Sequence, residues 1–231
     1  MFCTISHIID LANCGSQAIF YGMVQKEAPP RVRGRPRAYD PEVALQRATE
    51  AFWKAGYAGT SLDDLAAATG MNRPSLYAGF GDKRALYLKA LNRYWDRGLK
   101  AMDEALLPEK PLSDALYRLY HLALGMYFPT KGRARGCFGV GTALTEAAED
   151  PLIREAFAGG LRRIYAGFES CIQRAQSRGE LSANADVETL AGLASAVLSS
   201  LAVRSRAGMS REHLDKFAKS SALAIAAMGR G

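Results

Sequence analysis

Three side chains that can bind nucleic acid, Arg73, Ser75 and Tyr77, fall within one short stretch, MNRPSLYAGF. Arginine can bond to a guanine edge or a phosphate, a serine hydroxyl can reach either, and a tyrosine hydroxyl can donate to a phosphate while its ring packs. Asn72 is a favoured N-cap and Pro74 is tolerated in a first turn, so the stretch predicts a short helix. Because so short a helix is unstable alone in water, the rest of the fold must support it.

The neighbouring residues supply this support and predict a helix-turn-helix. Leu76 and Phe80 lie at helical spacing and would anchor the back of the short helix. Gly70 ends a preceding short helix that Thr60-Ser61 would cap, so two short helices meet at a tight turn. The second helix of such a motif lies in the major groove, which is about 12 Å wide, with its N-terminal residues toward the bases. The alternative is a packing helix in an α-helical bundle.

A basic segment, RVRGRPR (31–37), precedes the first predicted helix and carries four arginines. Gly34-Arg35-Pro36 resembles the core of an AT-hook and would be extended, as insertion into a narrow minor groove requires. The alternative is a solvated leader that adds only non-specific attraction.

The positive charge of the chain is concentrated in the region that carries both features. Of 231 residues, 30 are Lys or Arg and 23 are Asp or Glu, a formal net charge of +7. Residues 29–100 hold 13 basic against 7 acidic side chains, whereas residues 101–231 hold 16 against 14. This asymmetry predicts a module that faces a polyanion, joined to a nearly neutral one.

The remaining pattern is almost entirely helical. Asp40-Pro41-Glu42 begins a helix that Gly56 ends, and Asp82 caps a long helix that reaches about Leu106. Further helices are predicted at about 112–128, 138–148, 151–178, 187–207 and 211–228. The predicted fold is all-α, with an N-terminal three-helix helix-turn-helix domain and a C-terminal helical bundle, about nine helices in total.

The segment FWKAGYAGTSLDDLAAATGMNRPSLYAGFGDKRALY (52–87) closely resembles the DNA-binding domain of TetR/AcrR-type one-component transcriptional regulators. The matching positions follow the order of the family pattern: Phe52, Gly56-Tyr57, Thr60-Ser61, Ala66, Gly70, Leu76-Tyr77, Phe80 and Lys83. The resemblance is sharp over about 40–90 and weak beyond. It implies a homodimeric repressor that binds a palindromic operator and is released by a small-molecule effector. The alternative is an effector-independent architectural protein that binds DNA.

The resemblance also implies roles for individual residues. Phosphate contact is implied for Thr60, Ser61, Tyr77 and Lys83, and base reading for Arg73, Pro74 and Ser75. For Thr60 and Ser61, helix capping alone is the alternative, and for Tyr77 a purely buried ring. The N-cap Asn72 and the arm residues Arg33, Arg35 and Arg37 complete the predicted DNA-binding set.

A C-terminal face rich in aromatic residues is the candidate effector site. The resemblance implies a pocket for a small, often apolar or aromatic effector in this bundle, and plain core packing is the alternative. The predicted effector-binding residues are Tyr117, Tyr120, His121, Leu124, Phe138, Tyr165 and Phe168.

The last two helices, at about 190–207 and 214–228, resemble those that pair as a four-helix interface between subunits. Their small residues allow close helix approach. A homodimer also fits the geometry of paired half-sites, whose centres lie about 34–36 Å apart.

Cys137 is a candidate redox switch, since the arginines in RARGCFGVG could lower its pKa. A buried or idle thiol is the alternative. The three histidines are scattered without metal-ligand spacing, so we predict no metal and no other cofactor. No G-x-S-x-G, P-loop, H-E-x-x-H or dinucleotide fingerprint occurs, so we predict no enzymatic activity.

The four cysteines lack C-x-x-C spacing and are too few for a secreted disulfide scaffold, which predicts a cytoplasmic protein. No apolar run reaches the roughly 18 residues of a membrane span, so we predict no membrane partner. Residues 1–22 match nothing that follows, and we interpret Met23 as the natural start. The predicted domains are a leader (1–30), a DNA-binding domain with a basic arm (31–85) and an effector-binding and dimerisation domain (86–231).

Overall fold

The computed structural model describes residues 39–107, 109–130 and 132–231, and in these ranges the chain forms ten α-helices and no strand. They are α1 (Pro41–Ala55), α2 (Leu62–Thr69), α3 (Arg73–Phe80), α4 (Lys83–Ala105), α5 (Leu112–Tyr127), α6 (Phe138–Thr142), α7 (Glu146–Glu149), α8 (Pro151–Ser177), α9 (Val187–Arg206) and α10 (Arg211–Met228). The all-α prediction is confirmed. The interpretation of Met23 as the start and the predicted basic arm lie outside the described residues.

Side-chain caps fix where the first helices begin. The Asp40 carboxylate accepts a hydrogen bond from the backbone N–H of Glu42 at 2.8 Å at the start of α1. At the start of α2 the Ser61 N–H donates to Asp64 Oδ2 at 2.8 Å and the Asp64 N–H donates to Ser61 Oγ at 3.1 Å, which completes a capping box. Gly70, with a left-handed φ of 72°, ends α2 and turns the chain toward α3.

The long helix α4 joins the first three helices to the rest of the bundle. It packs against α1 on one side and against α5, α6 and α8 on the other, while α10 packs on α5 and α9. The buried rings of Phe52, Tyr87 and Phe138 connect α1, α4 and α6, with centroids 5.1 and 5.8 Å apart in that order. Because α4 crosses the predicted domain boundary at residue 85, one continuous helix carries both predicted domains.

The helix predicted at about 138–148 is instead two short helices, α6 and α7, separated by a turn at residues 143–145. Gly139 and Gly141 have weak helix propensity, so a long helix gains little there. Packing holds α6 in position: a Cβ at Gly139 would lie 2.5 Å from the Trp95 ring. The hydroxyl groups of Tyr87 and Thr142 also share a buried hydrogen bond of 2.7 Å.

Helix α9 carries more apolar surface than the bundle covers. By length and average composition alone it could cross a membrane, although Thr189, Ser195 and Ser199 interrupt its apolar residues. Only 28% of its most apolar window is buried, and Leu193 and Val203 are exposed. Helix α9 packs on α5, α6, α8 and α10, and its exposed side is available to another surface.

Candidate nucleic-acid interface

The back of α3 is anchored in the core, as its spacing predicts. Leu76 is 2% exposed and Phe80 is 6% exposed. The Phe80 ring packs on Tyr39, with centroids 6.2 Å apart. Gly79 permits this approach, because a Cβ there would overlap the Tyr39 hydroxyl. The short helix is therefore stabilised by tertiary contacts.

The opposite face of α3 is open to solvent. Arg73 and Pro74 are exposed and Ser75 is half-buried. Asn72 caps the helix, because its Oδ1 accepts the Ser75 N–H at 2.9 Å. Tyr77 is 49% exposed, which contradicts the alternative that its ring is purely core. Within one short helix the structure thus presents the side chains predicted to meet DNA.

Arg73 forms an ion pair that its sequence neighbours do not reveal. Its Nε donates to Asp63 Oδ1 at 2.8 Å and its Nη2 donates to Oδ2 at 2.5 Å, so the carboxylate holds one edge of the guanidinium. The hydrogen bond from Arg73 lowers the pKa of the Asp63 carboxyl below its usual range. Asp63 lies on α2, ten residues upstream, and only the helix-turn-helix turn brings the two together. The pair fixes the direction of a long, flexible side chain at the start of α3.

Thr60 and Ser61 have different environments, although the sequence pattern treats them together. Thr60 is 1% exposed, and its hydroxyl donates to the Gly56 carbonyl at 2.6 Å. The buried side chain cannot reach DNA, so the structure contradicts the phosphate contact predicted for Thr60. Ser61 is exposed, but its hydroxyl already donates to Asp64 Oδ2 at 2.6 Å. Ser61 therefore caps α2, whereas the Thr60 hydroxyl stabilises the turn that follows α1.

Lys83 begins α4 beside α3, and its ammonium group is drawn inward. Its Nζ lies 4.4 Å from the centroid of the Tyr57 ring. Burial lowers the pKa of the Lys83 ammonium below its usual value. The carboxylate of Asp82 caps the same helix end by accepting the Ala85 N–H at 2.7 Å. A phosphate contact by Lys83 therefore competes with its contact on the Tyr57 ring. The other predicted cations, Arg33, Arg35 and Arg37, lie outside the described residues.

An apolar cavity of about 60 Å³ lies among α4, α5, α8 and α9. Trp95, Tyr127, Ile164 and Leu198 are among the residues that line it, one from each helix. None of the seven predicted effector residues lines this cavity. The predicted aromatic face and this cavity are therefore formed by different side chains of the same bundle.

Four of those seven residues, Tyr120, Leu124, Phe138 and Phe168, are fully buried core residues. The other three bond to polar groups at the surface: Tyr117 donates to Asp215 Oδ2 at 2.9 Å, His121 Nδ1 lies 2.7 Å from Asp215 Oδ1, and Tyr165 donates to the Glu188 carbonyl at 3.2 Å. These residues do not line the cavity because helical spacing predicts which side chains share a face, but not which other helix covers that face.

Cys137 also differs from its prediction. The thiol is buried beside the cavity, and burial raises its pKa above the usual value, although Tyr94 donates to Sγ at 3.1 Å. Arg135, two residues away, directs its guanidinium onto the Trp53 ring at 3.7 Å. The burial favours the alternative of an idle thiol over a thiol activated by flanking arginines. In the described part of the chain, no group of three or more His, Cys, Asp or Glu could hold a metal ion.

Comparisons with known proteins match both halves of the described chain. Residues 44–90 match the family model of bacterial regulatory proteins, tetR family, and residues 115–221 match the tetracyclin repressor-like C-terminal domain. The HTH-type transcriptional repressor ComR of Escherichia coli (strain K12) is 33% identical over 190 residues, which cover 80% of this chain and 89% of ComR. The uncharacterized HTH-type transcriptional regulator YezE of Bacillus subtilis (strain 168) is 30% identical over 159 residues, 68% of this chain and 81% of YezE.

A solved structure agrees with these matches. A cysteine mutant of the TetR family transcriptional regulator CifR, complexed with 26bp double-strand operator DNA, is 32% identical. The two structures align with a TM-score of 0.76, and the alignment covers 82% of this chain and 99% of the CifR chain.

Proposed function

Since this chain belongs to the TetR family of bacterial regulatory proteins, we propose that it represses transcription by binding a palindromic operator as a homodimer. The observation that carries this proposal is helix α3, whose back is buried and whose front is open to solvent. Relatives of this chain include a transcriptional repressor and a regulator complexed with operator DNA.

In the proposed complex, α3 lies in the major groove and divides its contacts between bases and backbone. Arg73 and Ser75, at the N-terminal end, read base edges. Tyr77 donates its exposed hydroxyl to a phosphate, which fixes the register without reading sequence. Pro74 fixes the backbone between the two reading residues.

Lys83 joins these contacts by moving away from Tyr57. A cation–π contact at a partly exposed site is worth about 0.5–1 kcal/mol, and one phosphate contact releases a counterion in return. The phosphate contact should prevail at moderate salt. Lys83 therefore contributes to affinity and to its salt dependence.

The homodimer forms through α9 and α10. Their exposed apolar side chains are Leu193, Val203, Leu223 and Met228, and the uncovered side of α9 includes small residues. An apolar face of this kind is unfavourable in water and is typical of a subunit interface. Pairing these two helices across a two-fold axis gives a symmetric dimer whose two α3 helices face one duplex.

The effector binds in the apolar cavity among α4, α5, α8 and α9. At about 60 Å³ the cavity is smaller than the roughly 300–1,000 Å³ of sites that bury drug-sized ligands, so an effector must widen it. A ligand that prefers the widened state shifts the population away from the DNA-binding state.

The relatives are transcriptional regulators, and we propose no catalytic activity for this chain. We also propose that it acts in the cytoplasm, where operator DNA is found in bacteria.

The experiment is selection of bound sequences from random duplex DNA with purified protein, followed by footprinting. We expect an inverted repeat whose half-sites lie one or more helical turns apart. Continuous, sequence-independent protection would indicate an architectural DNA-binding protein instead. The Leu193→Asp variant, which places a charge in the proposed interface, should be monomeric and should lose the protected repeat.

A further inference from the structure

A second groove, next to the apolar cavity, lies between α1, α4 and the segment that precedes α6. Its volume is about 390 Å³, and its walls include Trp53 of α1, Arg93 and Arg97 of α4, and Arg135. We call it the arginine groove. We propose that the arginine groove binds small organic carboxylates.

The charge of the groove favours an anion. Three guanidinium groups and one carboxylate, that of Glu50, line it. Arg135 Nη1 pairs with Glu50 Oε2 at 2.5 Å, and Arg93 pairs with the exposed Glu42 at 3.0 Å. Arg97 has no ion-pair partner within the described ranges. The guanidinium of Arg97 can bind a carboxylate through two parallel N–H···O bonds. The neighbouring pair of Arg93 with Glu42 is weakened by solvent, so Arg93 adds positive charge beside it.

A buried donor in the same wall also lacks an acceptor. Trp53 Nε1 is buried, and no hydrogen-bond partner for it occurs among the described residues. Buried N–H groups without an acceptor are rare in folded proteins. The N–H itself is closed to solvent, but the Trp53 side chain lines the groove, so the indole N–H reports on what the groove binds.

The remaining lining favours an organic anion over an inorganic one. Apolar side chains of Ala101 and Met126 line the groove together with Tyr94. A volume of about 390 Å³ lies within the usual range for small-molecule sites. An aromatic carboxylate can therefore bury its ring against these side chains while its carboxylate group pairs with Arg97.

The groove also joins the N-terminal three-helix domain to the long helix α4. It lies between α1 of the helix-turn-helix and α4, so its occupant bridges the two. The apolar cavity shares Tyr94, Ala101 and Met126 with it but has no charged lining residue. The two sites therefore select ligands of different chemistry.

The test uses the intact protein without DNA, so its result is independent of the proposed function. The indole N–H signals of the two tryptophans are followed by NMR while benzoate is added. We expect benzoate at millimolar concentration to shift the Trp53 signal saturably, and uncharged benzyl alcohol to leave it unchanged. The Trp95→Phe variant assigns the signals.

Two arginine variants distinguish this groove from general attraction of anions. Arg97→Ala should weaken benzoate binding about tenfold, since a charged hydrogen-bonding partner is lost, and Arg97→Lys should recover part of it. Arg118→Ala, at an exposed position on α5, should bind benzoate as the native protein does. The proposal is overturned if benzoate produces no saturable shift, if inorganic phosphate competes equally well, or if Arg97→Ala binds benzoate normally.

Discussion

Replacing Arg73 with alanine tests the reading end of α3 most directly. Asp63 bonds to Nε and Nη2 of the guanidinium, which leaves Nη1 and one N–H of Nη2 free. These N–H groups form the end-on fork that can meet O6 and N7 of a guanine. Arg73 can therefore keep its ion pair while it reads a base, and Asp63 fixes where the fork points.

The expected magnitudes follow from this geometry. A bidentate arginine contact discriminates between bases by about 10-fold to 100-fold, so Arg73→Ala should lower the ratio of operator to non-operator affinity by that factor. Asp63→Ala keeps the guanidinium but frees its rotamers, which should lower the ratio by about 3-fold to 10-fold. Because Asp63 acts through Arg73, the double variant should be no worse than Arg73→Ala alone.

The assay is fluorescence anisotropy with the selected operator and a scrambled duplex at one fixed salt concentration. A matched control is the exposed pair Arg163–Asp96, at 2.9 Å, whose disruption should leave the ratio unchanged. If the double variant lowered the affinity ratio by the product of the two single effects, Asp63 would not act by positioning Arg73. A higher ratio in Asp63→Ala would mean that the carboxylate masks Arg73.

Three other variants test separate parts of the structure. Tyr77→Phe should weaken operator binding by about 3-fold to 10-fold with an unchanged salt slope in anisotropy titrations, because a hydroxyl and no charge is lost; a change in slope would contradict this. Gly160→Ala should lower the free energy of unfolding in urea by about 1–3 kcal/mol, because its Cβ would overlap the Trp95 indole, whereas Gly125→Ala, with no neighbour within 4 Å, should not destabilise the fold. Burial raises the pKa of Tyr94 well above its usual value of 10.0, so the unfolded chain loses this proton at lower pH and stability should fall as pH rises above about 10. Tyr94→Phe should make that decline shallower in urea titrations, and an equal decline would assign it to other groups.

The ends of the helices could be predicted because they depend on neighbouring residues. Asp40, Asn72 and Asp82 each cap a helix by accepting an N–H two or three positions later. The anchoring of α3 by Leu76 and Phe80 follows from helical spacing in the same way. These interactions are local, so the sequence of one short segment is enough to predict them.

The apolar cavity and the state of Cys137 could not be predicted, because both depend on long-range packing. Tyr120 and Phe168 are 48 residues apart, yet their ring centroids lie 6.2 Å from each other in the core. Arg135 is close to Cys137 in sequence, but its guanidinium lies on Trp53 and pairs with Glu50. The pairing of Arg73 with Asp63 likewise requires the turn between α2 and α3. In each case the deciding neighbour comes from another helix.

The packing of Trp95 indicates how a ligand in the cavity would reach α3. The indole lies between Gly139 of α6 and Gly160 of α8, where a Cβ at either glycine would overlap it, and it also lines the cavity. A ligand that widens the cavity cannot push Trp95 toward α6 or α8 alone, because those contacts leave no free volume. We propose that a ligand which displaces Trp95 moves α4 as a whole. Since α4 begins at Lys83, three residues after α3 ends at Phe80, such a movement would shift the reading helix and the separation of the two α3 helices in the proposed dimer.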